Sequence, residues 1–485
     1  MKVSVQSTSP HEHTSPLLAV AVGLSKRLPA ELHLLDRAAG GQLSLAMADL
    51  GGRSGATHLS YLPGGGRVLL VGTGRKGAPD MESVRRAAGR ASATAQKFKC
   101  DRLWFLLPGS GRVEELAQGA AEGVQLGGYV FNRYQTMDPR PDTLKEAILI
   151  CAPRQLKAAT RGAAHGTVTG WAQAAVRDMV NTPAADWTPA RFAQVASDAG
   201  KRHGFKVEVK SPAQLKKENF GGLLAVGSGS ANLPRFIRMD YRRGKGAPVV
   251  LVGKGITFDT GGISLKPGAD MDQMKGDMAG AAVVLAAMVA ASRMKLPINL
   301  TGLICAAENM PSGTAYRPGD VVKAYGGRTI EVLNTDAEGR VVLADGLAYA
   351  QTLSPRLVID LATLTGAIII ALGHHTAGVM GNDDALKAAL MRSAKRTGEK
   401  LWVMPLDAEH TELVKSDIAD VKNSAGRPAA SSSAAAFLST FVGDHPWAHL
   451  DIAGVDLEFK GTDYTPRGPS GFGARLLIDF LCNLR

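Results

Sequence analysis

The chain has 485 residues, with 45% hydrophobic and 21% charged side chains and a formal net charge of +12. This composition is typical of a globular protein with a large core, and it excludes an intrinsically disordered chain. The most membrane-like run, Ala279 to Ala291, is too short to span a bilayer. The four cysteines lie far apart and form no CxxC pair. We therefore expect a cytoplasmic protein without a signal peptide, a membrane span or disulfides.

The first third of the chain is predicted to be an α/β domain. A helical pattern at 81–98 alternates there with strand-like apolar segments, which are RVLLVG (67–72), DRLWFLLP (101–108) and AILICAP (147–153). The region is also basic, because residues 1–165 contain 21 Lys and Arg against 13 Asp and Glu. We interpret this excess as a solvated basic face. The alternative is a surface that attracts DNA or another polyanion.

A glycine-rich segment follows the first of these strands. Residues 72–77, GTGRKG, match the GxGxxG pattern of dinucleotide-binding turns. Such a site also needs an acidic residue at the end of the next strand, whereas Asp101 precedes the strand LWFLL. We therefore interpret the segment as a tight turn between a strand and a helix.

A helical pattern at 165–182 and a proline-punctuated segment at 181–189 separate this domain from the rest of the chain. We place an N-terminal domain at 1–160, a linker helix at 161–185 and a larger domain at 186–485. The larger domain contains runs that are apolar on both faces: PVVLVGKGI, INLTGLICA and RLVIDLA. Such runs are typical of parallel strands covered by helices. The sequence thus predicts a two-domain α/β protein whose second domain has a mixed, largely parallel sheet.

Several chemically reactive side chains are concentrated in the segment 249–278 of the larger domain. Lys254 is predicted at the carboxyl end of a strand, where ligands bind in open α/β sheets. Asp259 and Lys266 follow on a glycine-broken loop, and Asp277 precedes an uncharged helical stretch. A carboxylate at a helix N-terminus is also a common cap, so Asp277 alone indicates little.

A second polar segment follows the predicted strand TIEVL at 329–333. In NTDAEGR at 334–340, Asp336, Glu338 and Arg340 are spaced two residues apart. In an extended segment this spacing points all three side chains to one side. Arg340 is then predicted to begin a helix, whose N-terminus is itself an anion site. The alternative is a helix cap with surface charges.

Together the two segments supply four carboxylates and three cations beside buried strands. Four carboxylates balance the charge of two divalent ions, which favours a two-metal site with oxygen ligands. A lysine beside bound cations can ligate as a neutral amine, and a second lysine can polarise a carbonyl group. The residues do not select between Mn²⁺, Mg²⁺ and Zn²⁺.

These segments carry a family resemblance. The chain resembles the leucyl aminopeptidases of the cytosol aminopeptidase family of metallopeptidases, which includes bacterial aminopeptidase A. Its signature NTDAEGR is intact, and further matching segments cover the larger domain in order: GKGITFDTGGISLKP, MKGDM, ENMPSGTAYRPGDVV, LATLTGA, PWAHLDIAG and SGFGARLL. In residues 1–160, where the family has a macro-like α/β domain, the likeness is weaker.

The resemblance implies roles for individual residues of this chain. The metal ligands would be Lys254, Asp259, Asp277, Asp336 and Glu338, with Asp259 and Glu338 touching both of two Mn²⁺ or Zn²⁺ ions. Lys266 would polarise the scissile carbonyl group, and Arg340 would hold a bicarbonate-like base or orient the attacking water. The pocket for the N-terminal side chain would be lined by Met274, Thr363, Gly366 and Ala453.

The resemblance also implies a homohexamer that removes N-terminal amino acids, with Leu and other apolar residues favoured, from peptides with a free α-amine. One departure is Asp456, which stands where the family has an uncharged pocket residue. Its side chain either faces solvent, pairs with a cation such as Lys460, or contacts a basic substrate side chain. Two alternative functions stay open: an additional DNA-binding regulatory or architectural role through the basic N-terminal domain, and hydrolysis of another amide or of a phosphate ester.

Overall fold

The computed structural model describes residues 1–12, 16–63, 65–140 and 142–484. The chain forms two compact units. Unit 1 is Met1–Ala174 with Glu458–Gly468, and unit 2 is Ala175–Leu457 with Pro469–Arg485. The division at residue 174 lies within a long helix that begins nine residues earlier than the helical pattern predicted at 165–182.

Unit 1 is built on a six-stranded sheet. Its strands are β1 (Lys2–Gln6), β2 (Leu18–Val22), β3 (Thr57–Tyr61), β4 (Arg67–Gly72), β5 (Arg102–Leu106) and β6 (Glu146–Ile150). Their order is β1-β6-β5-β2-β4-β3, and all are parallel except β3. The helices are α1 (His33–Ala38), α2 (Gln42–Leu50), α3 (Met81–Lys97), α4 (Val113–Gly127) and α5 (Leu156–Asn181), with short 3-10 helices at Pro10–Glu12, Ala30–Leu32 and Pro153–Gln155.

The sheet of unit 1 is covered on both faces. Side chains alternate between the faces along each strand, so Leu18 and Val20 of β2 join the core formed with α1 and α2. Ala19 lies on the opposite face, in the core formed with α3 and α4. The strands and the helix predicted in this region are present, and the α/β class is confirmed.

The basic side chains of unit 1 are partly engaged inside it. Arg85 is fully buried, because α3 packs this residue against α4, and its Nε donates to Glu122 Oε2 at 2.6 Å. Arg85 also pairs with Glu82, and Arg90 pairs with Asp463 at 2.5 Å. The interpretation of the basic stretch as a wholly solvated face is therefore wrong at Arg85.

Unit 2 contains an eight-stranded sheet. The strands after β6 are β7 (Lys206–Lys210), β8 (Arg235–Arg242), β9 (Val249–Asp259), β10 (Asn299–Asn309), β11 (Val321–Lys323), β12 (Thr329–Glu331), β13 (Leu357–Ala362), β14 (Ala377–Gly381), β15 (Leu401–Val403), β16 (Val421–Lys422), β17 (Trp447–Asp451), β18 (Leu457–Glu458) and β19 (Gly468–Pro469). The large sheet has the order β15-β14-β17-β13-β9-β10-β8-β7. Unit 2 also contains the small sheet β11-β12-β16, and β18 pairs with β19 where the chain passes from one unit to the other.

The centre of the large sheet is parallel, as predicted. Strands β17, β13, β9 and β10 run in the same direction, and β14 and β8 flank them in the opposite direction. The helices after α5 are α6 (Pro189–His203), α7 (Pro212–Lys217), α8 (Gly221–Gly227), α9 (Ala279–Arg293), α10 (Glu338–Gln351), α11 (Gly366–Leu372), α12 (Asp384–Thr397), α13 (Ala408–Glu412), α14 (Ala430–Ser439) and α15 (Ala474–Cys482), with a 3-10 helix at Met271–Gly276. The four parallel strands consequently share one carboxyl edge.

Helix α9 is long and apolar, and its first charged residue is Arg293. The helical segment Met271–Arg293 that contains it is the one segment of the described residues with the length and composition of a membrane span. In this fold 89% of its most apolar window is buried within the protein.

Candidate metal centre

Polar residues stand at the carboxyl ends of all four parallel strands. Asp259 ends β9, Asn309 ends β10 and Asp451 ends β17, while Thr363 directly follows β13. Asn309 Nδ2 donates to Asp259 Oδ1 at 2.8 Å, which ties the first two strand ends together. Ligands bind at this edge in open α/β sheets, so its polar residues form the candidate site.

Two glycines bring the loop after β9 back against the strand ends. Gly261 and Gly262 have φ values of +86° and +67°, which side chains other than glycine rarely adopt. A Cβ on Gly261 would lie 2.9 Å from Asp336 Oδ1, and one on Gly262 would lie 2.8 Å from Asn309 Oδ1. The loop therefore approaches the site with its backbone and carries Lys266 into it.

Lys254 forms one half of the charged cluster. Its Nζ lies 2.8 Å from Asp277 Oδ1 and 2.9 Å from Glu338 Oε1, and it donates to the Thr363 carbonyl oxygen at 2.9 Å. Thr363 Oγ1 in turn donates to Asp277 Oδ1 at 2.7 Å. The predicted position of Lys254 at the end of a strand is wrong. Lys254 lies in the middle of β9, because the strand continues to Asp259.

Lys266 forms the other half. Its Nζ lies 2.8 Å from Asp259 Oδ2 and 2.5 Å from Asp336 Oδ1. Oxygen atoms of Asp259, Asp336 and Glu338 all lie within 4.8 Å of one another. The structure thus brings together all four carboxylates and both lysines that the sequence singles out.

The charges of the cluster shift one another's protonation. Burial by itself lowers the pKa of Lys254, but Asp277 and Glu338 outweigh it and raise that pKa above its ordinary value. Burial raises the pKa of Glu338, and the neighbouring Asp259 adds to the increase. Burial likewise raises the pKa of Asp277 well above its usual range. Without further cations, these carboxylates therefore hold protons more tightly than exposed ones do.

The donor atoms of the cluster fit divalent metal ions. Asp277 Oδ2 is buried and accepts no hydrogen bond from any residue that the structure describes. A buried carboxylate oxygen without a partner costs free energy, which a cation would offset. Clustered carboxylate oxygens are preferred ligands of Mg²⁺ and Mn²⁺. Zn²⁺ also binds them, although it accepts nitrogen and sulfur ligands as well.

Arg340 lies two residues after Glu338, in the first turn of α10. Its Nη1 donates to the Asn423 carbonyl oxygen at 2.8 Å. Burial lowers the pKa of Arg340 to about 10, although Glu338 and Asp451 act in the opposite direction. The helix predicted to begin at Arg340 is present but begins two residues earlier, at Glu338. The predicted extended geometry is therefore wrong for Glu338 and Arg340, which both lie on α10.

Three of the four predicted pocket residues lie on segments that hydrogen-bond to Asp451. Its carboxylate accepts from Thr365 Oγ1 at 2.6 Å and from the Leu364 N–H at 3.2 Å, both next to the predicted Thr363 and Gly366. It also accepts from the Ala453 N–H at 3.3 Å. Met274 is half-buried in the 3-10 helix before Asp277, and Gly366 is exposed as the first residue of α11.

Asp456 is half-buried near this group. Its Oδ2 lies 3.7 Å from the point where a Cβ on Gly276 would be, directly before Asp277. Burial raises the pKa of Asp456 to about 7. Its expected exposure to solvent is therefore only partial.

The sequence alone does not identify residues that hold the site in place without belonging to the charged cluster. Asn423 accepts from the Leu333 N–H at 2.8 Å and donates to the Asn334 carbonyl oxygen at 2.7 Å, which holds the loop before α10. The imidazole Nδ1 of the buried His449 lies 2.6 Å from Asp360 Oδ1. His449 stands within PWAHLDIAG, one of the segments that carry the family resemblance, whereas Asn423 lies outside these segments. Hydrophobic periodicity does not reveal side-chain pairings between segments that are distant in sequence.

Known proteins of one family match this chain over nearly its whole length. The catalytic-domain profile of the cytosol aminopeptidase family matches residues 174–478, and its N-terminal-domain profile matches residues 19–138. A probable cytosol aminopeptidase from Roseiflexus castenholzii is 44% identical over 99% of each chain. A relative of the same description from a Geobacter species is 42% identical, again over 99% of each chain.

Solved structures agree with the sequence relatives. The bottromycin maturation enzyme BotP in complex with Mn superposes with a TM-score of 0.86 at 36% identity, covering 97% of this chain and 100% of that one. A mutant of tomato leucine aminopeptidase superposes with a TM-score of 0.90 at 30% identity, covering 99% and 96%. The resemblance inferred from the motifs is confirmed: the chain belongs to the cytosol aminopeptidase family and is an aminopeptidase.

Proposed function

We propose that the protein is a dinuclear-metal aminopeptidase that removes Leu and other apolar residues from the free N-terminus of peptides. The observation that carries this proposal is the convergence of four carboxylates and two lysines at the carboxyl edge of the large sheet. The descriptions of the structural neighbours, a leucine aminopeptidase and an enzyme in complex with Mn, support it.

The residues divide into two overlapping ligand groups. One ion would be held by Lys254, Asp259, Asp277 and Glu338, and the other by Asp259, Asp336 and Glu338, so that Asp259 and Glu338 would bridge. Bound Mn²⁺ or Zn²⁺ ions would supply Lewis acidity and an activated water at neutral pH. The free α-amine of the substrate would complete the coordination, which explains why an exopeptidase requires an unblocked terminus.

The two lysines would have different roles. The Nζ of Lys254 is buried between two proposed ligands, so in the loaded site it would give up its proton and present its lone pair. Lys266 is less buried and lies on the loop side of the cluster. It would keep its proton, donate to the scissile carbonyl oxygen and stabilise the oxyanion that develops there.

Arg340 would act on the water side of the reaction. Its Nη1 is held by Asn423, which fixes the guanidinium plane inside the protein. A buried guanidinium binds carboxylate-like anions through paired N–H donors. It would therefore hold a bicarbonate ion, which would accept a proton from the attacking water. Alternatively, it would orient that water directly.

Met274, Thr363, Gly366 and Ala453 would form the pocket for the N-terminal side chain. Asp451 joins the two segments that carry Thr363, Gly366 and Ala453 through the hydrogen bonds described above. The absence of a side chain at Gly366 leaves open space there, with no atom within 4 Å of its Cβ position among the described residues. We further propose a cytoplasmic location, in keeping with the name of the relatives, and the homohexamer that the family resemblance implies.

A panel of amides tests the reaction class. The protein should hydrolyse leucinamide, should leave N-acetyl-leucinamide intact because its amine is blocked, and should leave a phosphate monoester intact. Faster turnover of the phosphate ester than of leucinamide would contradict the proposal and favour another hydrolase activity of the same site.

DNA binding is the second candidate function, and the charge of residues 1–165 supports it. Lys76, Lys97 and Lys99 are exposed in unit 1 and free to contact phosphates, unlike Arg85. Binding to duplex DNA should weaken steeply with salt, and replacing these three lysines with Glu should abolish it while sparing peptidase activity. No retardation of a duplex at low salt would dismiss this role.

A further inference from the structure

Unit 1 contains a cleft that the peptidase function does not use. It has a volume of about 310 Å³, within the rough range of 300–1,000 Å³ for small-molecule sites. Its walls are the carboxyl ends of β2 and β5 and the loops that follow β2, β4 and β5. The loop after β4 is the GTGRKG segment at 72–77, which the sequence analysis interpreted as a tight turn.

The position of the cleft in the topology is that of a ligand site. After β2 the chain crosses to the face covered by α1 and α2, whereas after the neighbouring β4 and β5 it crosses to the face of α3 and α4. Adjacent connections that leave in opposite directions open a crevice at the carboxyl edge, and open α/β sheets bind ligands there. The turn after β4 is also not tight, because eight residues separate β4 from α3.

The loops around the cleft present donors for an anion. Gly77, Gly109 and Ser110 line the cleft, and their backbone N–H groups donate to no atom of the residues that the structure describes. Lys26 and Lys76 lie exposed on two of the three loops, and Arg112 lies on the third, where it pairs with Glu115 at 2.9 Å. Successive free N–H groups beside cations form the concave donor sets that bind phosphate groups.

One carboxylate distinguishes this cleft from a plain anion site. Glu31 lines it from the 3-10 helix after β2, with Oε1 2.8 Å from the Cβ position of Gly109. Glu31 accepts no hydrogen bond and forms no ion pair with any described residue. A carboxylate beside a phosphate-binding turn accepts the hydroxyl groups of a ribose in dinucleotide sites. Glu31, in the segment after β2, thus has the position for which Asp101 is unsuited.

We propose that the cleft of unit 1 binds a ribose phosphate ester of the nucleoside diphosphate type. The N–H groups of the loops after β4 and β5 contact its phosphates, and the Glu31 carboxylate contacts its ribose hydroxyl groups. The site lies in unit 1 and involves none of the residues assigned to peptide hydrolysis.

The test is calorimetric titration of the full-length, metal-loaded protein with ADP, adenosine and inorganic pyrophosphate. ADP should bind with one site per chain and at least tenfold more tightly than either fragment. Glu31→Gln should weaken ADP at least fivefold and leave pyrophosphate unchanged, and Ser110→Trp should weaken both phosphorylated probes. Asp49→Asn, an exposed carboxylate on α2 that does not line the cleft, is the matched control and should change none of them.

The same variants separate this site from the catalytic centre, where phosphates could meet the metal ions. Leucinamide hydrolysis without nucleotide should be unchanged in Glu31→Gln and Ser110→Trp. ADP binding that is equal in the wild type and both cleft variants would place the nucleotide elsewhere and overturn the proposal. Pyrophosphate binding as tightly as ADP would overturn the ribose contact, and no heat with millimolar ADP would overturn the site.

Discussion

At the scale of single residues, the candidate site is governed by how six charges share a buried space. Lys254 and Lys266 each lie between two carboxylates, so the cluster is partly neutralised without any other cation. The carboxylates still outnumber the lysines, and one oxygen of Asp277 has no partner among the described residues. A divalent cation would therefore stabilise each carboxylate, and Asp259 and Glu338 most of all, because these two belong to both proposed ligand groups.

Replacing Glu338 by Ala should abolish turnover and weaken binding of both ions, because one carboxylate would bridge them. Loss of a bridging ligand is expected to cost orders of magnitude in rate. Leucinamide hydrolysis and metal content per chain are the measurements. Lys266→Ala is the comparison, and it should keep both ions while losing rate. Retention of more than about a tenth of wild-type activity in Glu338→Ala would refute the two-metal assignment.

Asp456 should give the enzyme an unusual tolerance for basic N-terminal residues. A partly exposed charge pair is worth at most about 1 kcal/mol, which corresponds to less than tenfold in selectivity. We expect Asp456→Asn to lower kcat/KM for argininamide several-fold and to leave leucinamide nearly unchanged. Because the pKa of Asp456 is about 7, the preference for argininamide over leucinamide should rise with pH through neutrality. Equal losses for both substrates would mean that Asp456 supports the fold only.

The His449–Asp360 pair should make stability depend on pH. Burial alone lowers the pKa of His449, but Asp360 outweighs it and raises that pKa above its ordinary value. The proton is therefore bound more tightly in the folded state than in the unfolded state. Its contribution is complete below about pH 6.5, the unfolded value, and is lost as the pH rises through the raised folded value.

The measurement is the thermal midpoint of the metal-loaded protein at pH 6 and at pH 9. The midpoint of the wild type should fall between these values by more than that of His449→Gln, which cannot bind the proton. Each unit by which the folded pKa exceeds the unfolded one adds about 1.4 kcal/mol. Identical midpoint differences in the two proteins would show that His449 is not protonated in the fold.

At the scale of elements, the sequence predicts the strands and helices that carry the site better than it predicts the side-chain contacts between them. The strands β4, β5, β9, β10 and β13 are predictable because they are apolar on both faces. The helix α10 is predictable from Arg340 onward, but its start at Glu338 is not, because charged residues at a spacing of two also fit an extended segment. The roles of Asn423 and Asp451 depend on strands that meet only in the folded chain.

Helix α10 must approach β9 closely for Lys254 to reach Glu338. A Cβ on Gly339 would lie 2.6 Å from Lys254 Cε and 2.7 Å from its Nζ. Gly339→Ala should therefore displace the amine, reduce metal binding and lower leucinamide turnover at least tenfold. Gly268→Ala, on the loop after β9, is the control because no described atom lies within 4 Å of its Cβ position. Equal activities of the two variants would contradict the proposed role of Lys254.

At the scale of the whole molecule, the two units follow one structural rule with different chemistry. Each has a largely parallel central sheet covered by helices, and in each the candidate site lies at the carboxyl edge. In unit 2 this edge is lined by carboxylates, which suits cations. In unit 1 it is lined by loops whose backbone N–H groups at Gly77, Gly109 and Ser110 donate to no described residue, which suits phosphates. The proposed site would give the sheet of unit 1 a binding function separate from peptide hydrolysis.

The central claim is that two divalent ions at the carboxylate cluster make this chain an aminopeptidase. Its most direct test is titration of the metal-stripped protein with Mn²⁺ while leucinamide hydrolysis and bound metal are followed together. The account predicts that binding saturates at two ions per chain and that full activity is reached only with the second equivalent. Full activity in the stripped protein, or at a single ion per chain, would contradict it.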